Sequence, residues 1–258
     1  MPLSSLLVHL DSGERSKVRL KVAADLARAK GAKLTGLFAQ IGARAEAAQA
    51  SRADFLAAAA KLDAEWIDLG RGEEKGILRR ATEIARHFDM IVLGRRGVEN
   101  GLVPADLAEQ LILHSGRPVL VLPDAGEFRT IGKRPIFAWA DSASCSRALT
   151  HGVALVAPRV EALIVGFSGG DDAQVLAAQN ESLNFTVAHL AAHKICAHAE
   201  QLPLGGADLM DALLNRAADH GADLVVVGAF GGGDDLPSNG GVARRLLQRL
   251  TTPTLFSH

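Results

Sequence analysis

The sequence predicts an α/β protein of two tandem doubly wound domains, each a mostly five-stranded parallel sheet with helices on both faces. Three observations predict it. Short apolar runs alternate with amphipathic, alanine-rich stretches along the chain, which is the strand–helix–strand rhythm of parallel sheets. The apolar runs are continuous rather than alternating, as in strands covered on both faces. The whole series then occurs twice, with a polar stretch between the copies. A chain of 258 residues, 48% of them hydrophobic, has the length and the apolar content for two cores.

In the first copy, residues 5–10 (SLLVHL) read as a strand that stops at Asp11-Ser12-Gly13. A helix is predicted over 15–30, with Val18, Val22, Leu26 and Ala29 on one face and Gly31 as its C-terminal cap. KLTGLFAQ (33–40) is the second strand, followed by an Ala-, Arg- and Glu-rich helix over 43–64 anchored by Phe55 and Leu56. AEWIDL (64–69) is the third strand, 73–87 a helix, and FDMIVLG (88–94) the fourth strand. After a glycine-containing loop, 105–115 is helical and PVLVLP (118–123) is the fifth strand.

Residues 124–133 (DAGEFRTIGK) are polar and glycine-containing and read as a linker, which places the domains at 1–124 and 132–258. The second copy starts with RPIFAWAD, putting Asp141 after a strand as Asp11 is in the first. A helix over 144–157, the strand EALIVGF, a helix over 179–193, the strand KICAHAE, a helix over 207–222 and the strand DLVVVG (223–228) follow. A glycine loop, the short helix VARRLLQRL and PTLFSH complete it. The copies echo each other in detail: FDMIVLGRRG matches ADLVVVGAFG, SGRPVLVLP matches TTPTLFSH, and Val8-His9-Leu10-Asp11 matches Ala138-Trp139-Ala140-Asp141. Each copy is long enough to fold as its own layer, unlike a solenoid repeat.

Composition narrows the function. A net charge of −1 offers no positive field for nucleic acid, and two Trp, nine Phe and no Tyr give few base-stacking platforms. Cys145 and Cys196 form no CxxC pair and fit thiols in a reducing cytosol. The N-terminal apolar run has no basic region before it and meets Asp11 at once, so it reads as a strand rather than a signal peptide. No stretch approaches the roughly 20 apolar residues of a membrane span.

Chemistry is expected beyond the carboxyl ends of the strands, where ligands of parallel sheets bind. Gly94-Arg95-Arg96-Gly97 and Gly228-Ala229-Phe230-Gly231 both follow a strong strand, and Gly240-Gly241-Val242 opens the last helix. Glycines there let backbone N–H groups reach phosphates, and a helix start adds a positive end; glycines also simply make tight turns. Arg95 and Arg96 could pair with phosphates or lie at a solvated loop tip. Asp234 and Asp235 oppose a polyphosphate unless a divalent cation intervenes. Asp11 and Asp141 suit a hydrogen bond from an adenine amino group or a ribose hydroxyl, and equally a helix cap or turn. No catalytic set emerges: GxGxxG, GxxxxGK[ST] and GxSxG are absent, and His189 and His193 in HLAAH lack the glutamate of HExxH. No metal site is expected.

On VHLDSG, KGAKLTGLFA, FDMIVLGRRG, HSGRPVLVLP, GADLVVVGAFG and GGVARRLLQRLTTPTLFSH, the chain resembles tandem universal stress proteins of the bacterial kind over nearly its whole length. The resemblance implies an adenine-nucleotide-alpha-hydrolase-like fold. It also implies domain pairing through the last strands, as a pseudo-dimer within the chain or a homodimer. ATP-binding members carry glycine, two residues, glycine, nine residues, then glycine and Ser or Thr, with an Asp after the first strand on the adenosine side. The first copy departs from this: Leu107 stands where the third glycine belongs, or Ala105 and Asp106 on a shorter loop. The second keeps Gly228, Gly231 and Gly241, or Gly240 and Gly241 one residue short, but has Val242 in place of the hydroxyl. The resemblance therefore implies a cytoplasmic, non-catalytic stress-response protein. It would hold an adenine nucleotide, ATP with Mg2+, weakly in the second domain through Asp141, Gly228, Gly231, Gly240 and Gly241. The alternative is a nucleotide-independent scaffold or regulatory module acting on a protein partner.

Overall fold

A computed structural model describes residues 3–42, 44–70, 73–95, 103–229 and 241–258, with the side chains of 241–244 outside that description. The chain divides into two compact units, Met1–Arg129 and Thr130–His258.

The first unit runs β1 (Ser5–Leu10), α1 (Arg15–Lys30), β2 (Lys33–Phe38), α2 (Ala45–Ala58), β3 (Ala64–Asp68), α3 (Glu74–Ala85), β4 (Met90–Gly94), α4 (Leu107–His114) and β5 (Val119–Leu122). Its strands lie in the order β3-β2-β1-β4-β5, and each neighbouring pair is parallel. The second unit repeats the series as β6 (Pro135–Trp139), α5 (Ala143–Leu155), β7 (Glu161–Ser168), α6 (Ala173–Ala192), β8 (Cys196–Pro203), α7 (Leu209–His220), β9 (Leu224–Gly228), α8 (Gly241–Arg249) and β10 (Thr254–Ser257). Its order, β8-β7-β6-β9-β10, is the same and again parallel.

The central strands are continuous apolar runs because helices cover both their faces. Leu6, Leu7 and Val8 of β1 and Ile91 and Val92 of β4 are fully buried, as are Leu224, Val225 and Val226 of β9. Gly31 ends α1 in the left-handed conformation at φ 65°, with its N–H on the carbonyls of Ala27 and Arg28. Gly221 ends α7 in the same way.

Four details differ from the sequence reading. Helix α2 ends at Ala58 rather than 64, and Leu56, read as an anchor beside Phe55, is exposed because only Phe55 turns toward the sheet. The buried face of α1 is Ser16, Arg19, Leu20, Ala23 and Ala27, together with Val22 and Leu26, while Ala29 is exposed. A buried arginine breaks the apolar stripe that the pattern relies on. Helix α6 begins at Ala173 rather than 179, because the Asp172 carboxylate accepts the N–H groups of Gln174 and Val175 and caps it there. Strand β8 runs on to Pro203, which pairs in register with Ser168. Proline is tolerated at the end of a strand on the sheet's edge.

Candidate functional site

In a 3-2-1-4-5 sheet the connections diverge on either side of the first strand, which opens a crevice between the ends of strands 1 and 4. In the first unit that crevice holds Asp11, just after β1, and Gly94, the last residue of β4. Asp11 is fully engaged there. One carboxylate oxygen accepts the Gly13 N–H at 2.7 Å and the other pairs with the Arg19 guanidinium. Ser16 Oγ accepts the Asp11 N–H at 3.1 Å. Arg19 is 7% exposed, and its Nε also donates to the His9 carbonyl at 3.2 Å. Burial pushes the Asp11 carboxyl up, but Arg19, His9 and the Gly13 N–H together hold it below its ordinary value.

His9 completes the cluster. Burial first, and then the Arg19 cation, push its imidazole down to about 4, against the opposing pull of Asp11 and the Ala39 carbonyl. The ring is therefore neutral at neutral pH. Its Nε2 donates to the Ala39 carbonyl at 2.9 Å, which leaves Nδ1, 3.9 Å from Asp11, without the proton. The space left is about 20 Å3, lined by these three side chains together with Gly94, Arg95, Leu107 and neighbouring residues. A cavity of that size holds about one water. Arg19 stands against Gly94, where a Cβ would meet Nη1 at 2.6 Å. The guanidinium thus lies at the carboxylate and strand end that would otherwise face a ligand.

The second unit is built differently at the same place. Asp141 follows β6 as Asp11 follows β1, but it is exposed and has no hydrogen-bond or ion-pair partner among the described residues. Eight residues beyond Asp11 stands Arg19; eight beyond Asp141 stands Leu149, buried and apolar. The first turn of α5 is capped by Ser142, whose Oγ accepts the Cys145 N–H at 3.3 Å. This helix start packs directly on Gly228, where a Cβ would lie 2.6 Å from Cys145 N and 2.7 Å from the Ser144 carbonyl carbon. Gly228 thus has a packing reason to be glycine, independent of any ligand.

Of the residues singled out in the sequence, the structure places Asp141 and Gly228 at the ends of the neighbouring strands β6 and β9, and Gly241 at the start of α8. Gly231, Gly240, Asp234 and Asp235 lie outside the described residues, as do Arg96 and Gly97. Arg95 is not a free loop tip: its Nε donates to Asp124 at 2.7 Å. Arg19, which closes the first crevice, was not legible as a site residue. The signal available was a charge at helical spacing from Ser16 and Ala23, on the face turned inward.

Among the described residues no group of three or more His, Cys, Asp or Glu side chains could hold a metal ion. The rings of His189 and His193 lie 4.8 Å apart on the exposed side of α6. No helix among the described residues is long and apolar enough to cross a membrane.

Comparison with known proteins agrees with this architecture. No protein-family model and no curated protein matches the sequence. Among solved structures, a universal stress protein from Archaeoglobus fulgidus DSM 4304 superposes with a TM-score of 0.69 at 16% identity, over 98% of this chain and 95% of that one. A functionally unknown protein from Pseudomonas aeruginosa PAO1 superposes with a TM-score of 0.62 at 16% identity, over 99% and 92%. A chain from Pseudomonas aeruginosa UCBPP-PA14, provisionally assigned as a universal stress protein, gives 0.63 at 16% identity, over 99% and 93%. The chain has the universal-stress-protein fold, in duplicate.

Proposed function

We propose that this chain is a stress-response protein that acts by binding rather than catalysis, and that its second unit holds an adenine nucleotide, ATP with Mg2+, at the crevice between β6 and β9. Asp141 accepts a hydrogen bond from the adenosine part. Gly228, Gly231, Gly240 and Gly241 are the phosphate contacts of this reading, with the start of α8 adding its positive end. The cation offsets the charge that Asp234 and Asp235 bring to this stretch of sequence.

The observation that carries this reading is the contrast between the two strand-end carboxylates. Asp11 is paired inside the protein by Arg19 and Gly13, whereas Asp141 is exposed and has no partner among the described residues. A carboxylate without an internal partner is open to a ligand donor; one already paired with a buried guanidinium is not. Binding belongs to the second unit and the first is closed. Both cysteines are free and Cys196 is exposed, which suits the reducing cytoplasm.

The test is calorimetric titration of ATP with Mg2+ into the full chain and into Asp141→Ala. Because Asp141 is exposed and has no partner among the described residues, its removal should leave folding unchanged. Binding should weaken about tenfold, the loss of roughly 1.4 kcal/mol expected for one hydrogen bond to a charged group. An Asp11→Asn variant is not a control, since it breaks a buried pair. Folded protein that gives no heat up to millimolar ATP would exclude the nucleotide reading. It would favour the scaffold or regulatory module acting through a protein partner, which the missing hydroxyl at Val242 already suggests.

A further inference from the structure

We propose that the first unit carries a separate binding site, a pocket between the first turns of α2 and the ends of β2 and β3, which takes a small flat organic anion: an aromatic or heteroaromatic ring bearing a carboxylate or phosphate. The proposal is independent of nucleotide binding in the second unit.

The pocket follows from local sequence. Gly36 pairs in register with Trp66, and Phe38 with Asp68, so these four residues share one face of the sheet. Helix α2 covers that face. Its buried residues are Ser51 and Phe55, and the Phe55 ring lies 5.5 Å from the Trp66 ring above Gly36, where a Cβ would meet Phe55 at 2.8 Å. Toward its start, the same side of the helix offers Ala45, Ala48 and Gln49. The two alanines are too small to fill the space over the sheet, and a cavity of about 280 Å3 remains, which Arg44, Arg52, Gly70 and the sheet residues Phe38, Trp66 and Asp68 also line.

Each lining group has unused binding capacity of a definite kind. Trp66 is held by Phe38, with ring centres 6.1 Å apart, and by Phe55, so its indole is a fixed, half-buried platform. Its N–H has no hydrogen-bond partner among the described residues, whereas the Trp139 N–H donates to Ser182 at 2.9 Å. Arg44, the extended residue that precedes α2, and Arg52, within the helix, both line the cavity. Neither guanidinium forms an ion pair or hydrogen bond among the described residues. Arg19, Arg28, Arg80, Arg86, Arg95 and Arg117 of the same unit all do. Two guanidiniums on one rim without a partner among the described residues call for an anion, and their planar forks match carboxylate or phosphate. Asp68 is fixed by the Gly70 N–H on Oδ1 at 2.7 Å, which leaves Oδ2 for a donor on the ligand ring. The volume lies at the lower end of small-molecule sites and admits a ring with one acidic group rather than a dinucleotide. None of the lining residues belongs to the cluster around Asp11 and Gly94.

The two tryptophans make the test direct. In 15N-labelled full-length protein they give two indole N–H resonances, assigned with a Trp139→Phe variant. Quinoline-2-carboxylate, indole-3-carboxylate and phenyl phosphate are titrated separately, with neutral quinoline and acetate as controls. At least one aromatic anion should shift the Trp66 resonance saturably at submillimolar concentration while Trp139 stays in place and the controls do nothing. The Arg44→Gln/Arg52→Gln double variant changes two exposed side chains and should weaken binding by about tenfold or more with the rest of the spectrum unchanged. Asp141→Ala should leave it untouched. A Trp66 resonance unmoved by all three anions at about 5 mM, well beyond a millimolar Kd, would overturn the proposal. An equal response to neutral quinoline, or undiminished binding in the double variant, would also overturn it by reducing the contact to apolar adhesion.

Discussion

The three side chains His9, Asp11 and Arg19 show how one buried cation reorganises a site. Arg19 could not be buried alone, since an unpaired internal charge costs several kcal/mol; Asp11 and the His9 carbonyl make its burial tolerable. The same cation, after burial itself, keeps His9 neutral with a folded value of about 4 against 6.5 for the free side chain. The sign of the pH effect follows. Between those values the unfolded chain binds a proton that the folded chain does not, so stability falls as pH drops through this window and is level above it. From pH 7 to pH 5 the His9 contribution should fall by about 2 kcal/mol. Asp11, whose folded value is depressed, adds a loss in the same direction only in stronger acid. Urea midpoints at the two pH values for the natural chain and for His9→Gln, which stays neutral and keeps a donor for Ala39, measure this. The variant should lose that share of the pH dependence; an unchanged slope would mean that the ring titrates normally and is not enclosed as described. Asp11 was legible in the sequence because it ends a strand. Arg19 was not, because helical periodicity counts apolar residues and treats an arginine as solvent-facing.

At the level of elements, order and type were legible almost throughout, because continuous apolar runs and capped, alanine-rich stretches are strong local signals. What periodicity could not supply was the contact between elements. Gly228 illustrates this. In the sequence it is a strand-end glycine suited to phosphate, yet in the fold the backbone of α5 at Ser144 and Cys145 sits against it. Gly228→Ala would force β9 and α5 apart or strain both, an overpacking cost of about 1–3 kcal/mol. Gly94→Ala would instead press on Arg19, whose guanidinium Asp11 and the His9 carbonyl hold in place, and should destabilise through that buried pair. Unfolding without nucleotide should therefore show a lower midpoint for Gly228→Ala than for the natural chain. Equal midpoints would show that α5 does not abut β9 at this residue. That loss also decides how ligand data are read: loss of ATP binding in Gly228→Ala alone would report displaced packing as readily as a lost phosphate contact, so Asp141→Ala is the informative variant. The pocket over Trp66 was illegible for the same reason. Ala45 and Ala48 read as ordinary helix formers until their position over β2 and β3 shows the volume they leave unfilled.

For the whole molecule, the duplication was visible in the sequence, and so was an inequality of its halves in the glycine loops, but the buried cation that also separates them was not. Both copies keep an Asp after the first strand and a glycine after the fourth, and those shared residues do not tell the two sites apart. The difference lies at a position that neither motif includes: Arg19 in one copy and Leu149 in the other. On the proposed reading, a side chain of that kind separates a strand-end crevice open to a ligand donor from one satisfied internally. It does so without altering element order, strand order or core. Hydrogen exchange should reveal the asymmetry. A ligand bound to the folded state at a hundredfold excess over its Kd stabilises that state by about 2.7 kcal/mol, and amides that open by local fluctuation beside the site report it most directly. With saturating ATP and Mg2+, exchange should slow around residues 139–145 and 226–229, at the ends of β6 and β9 and the start of α5. Residues 9–13 and 92–95 should exchange at their ligand-free rate, because Asp11 already has its partner. Protection in both copies would show that Arg19 yields to the ligand and that the first crevice is a regulated site rather than a closed one. Protection in neither, from protein that retains its slow core amides in β1, β4, β6 and β9, would assign the fold to a role carried by protein contacts alone.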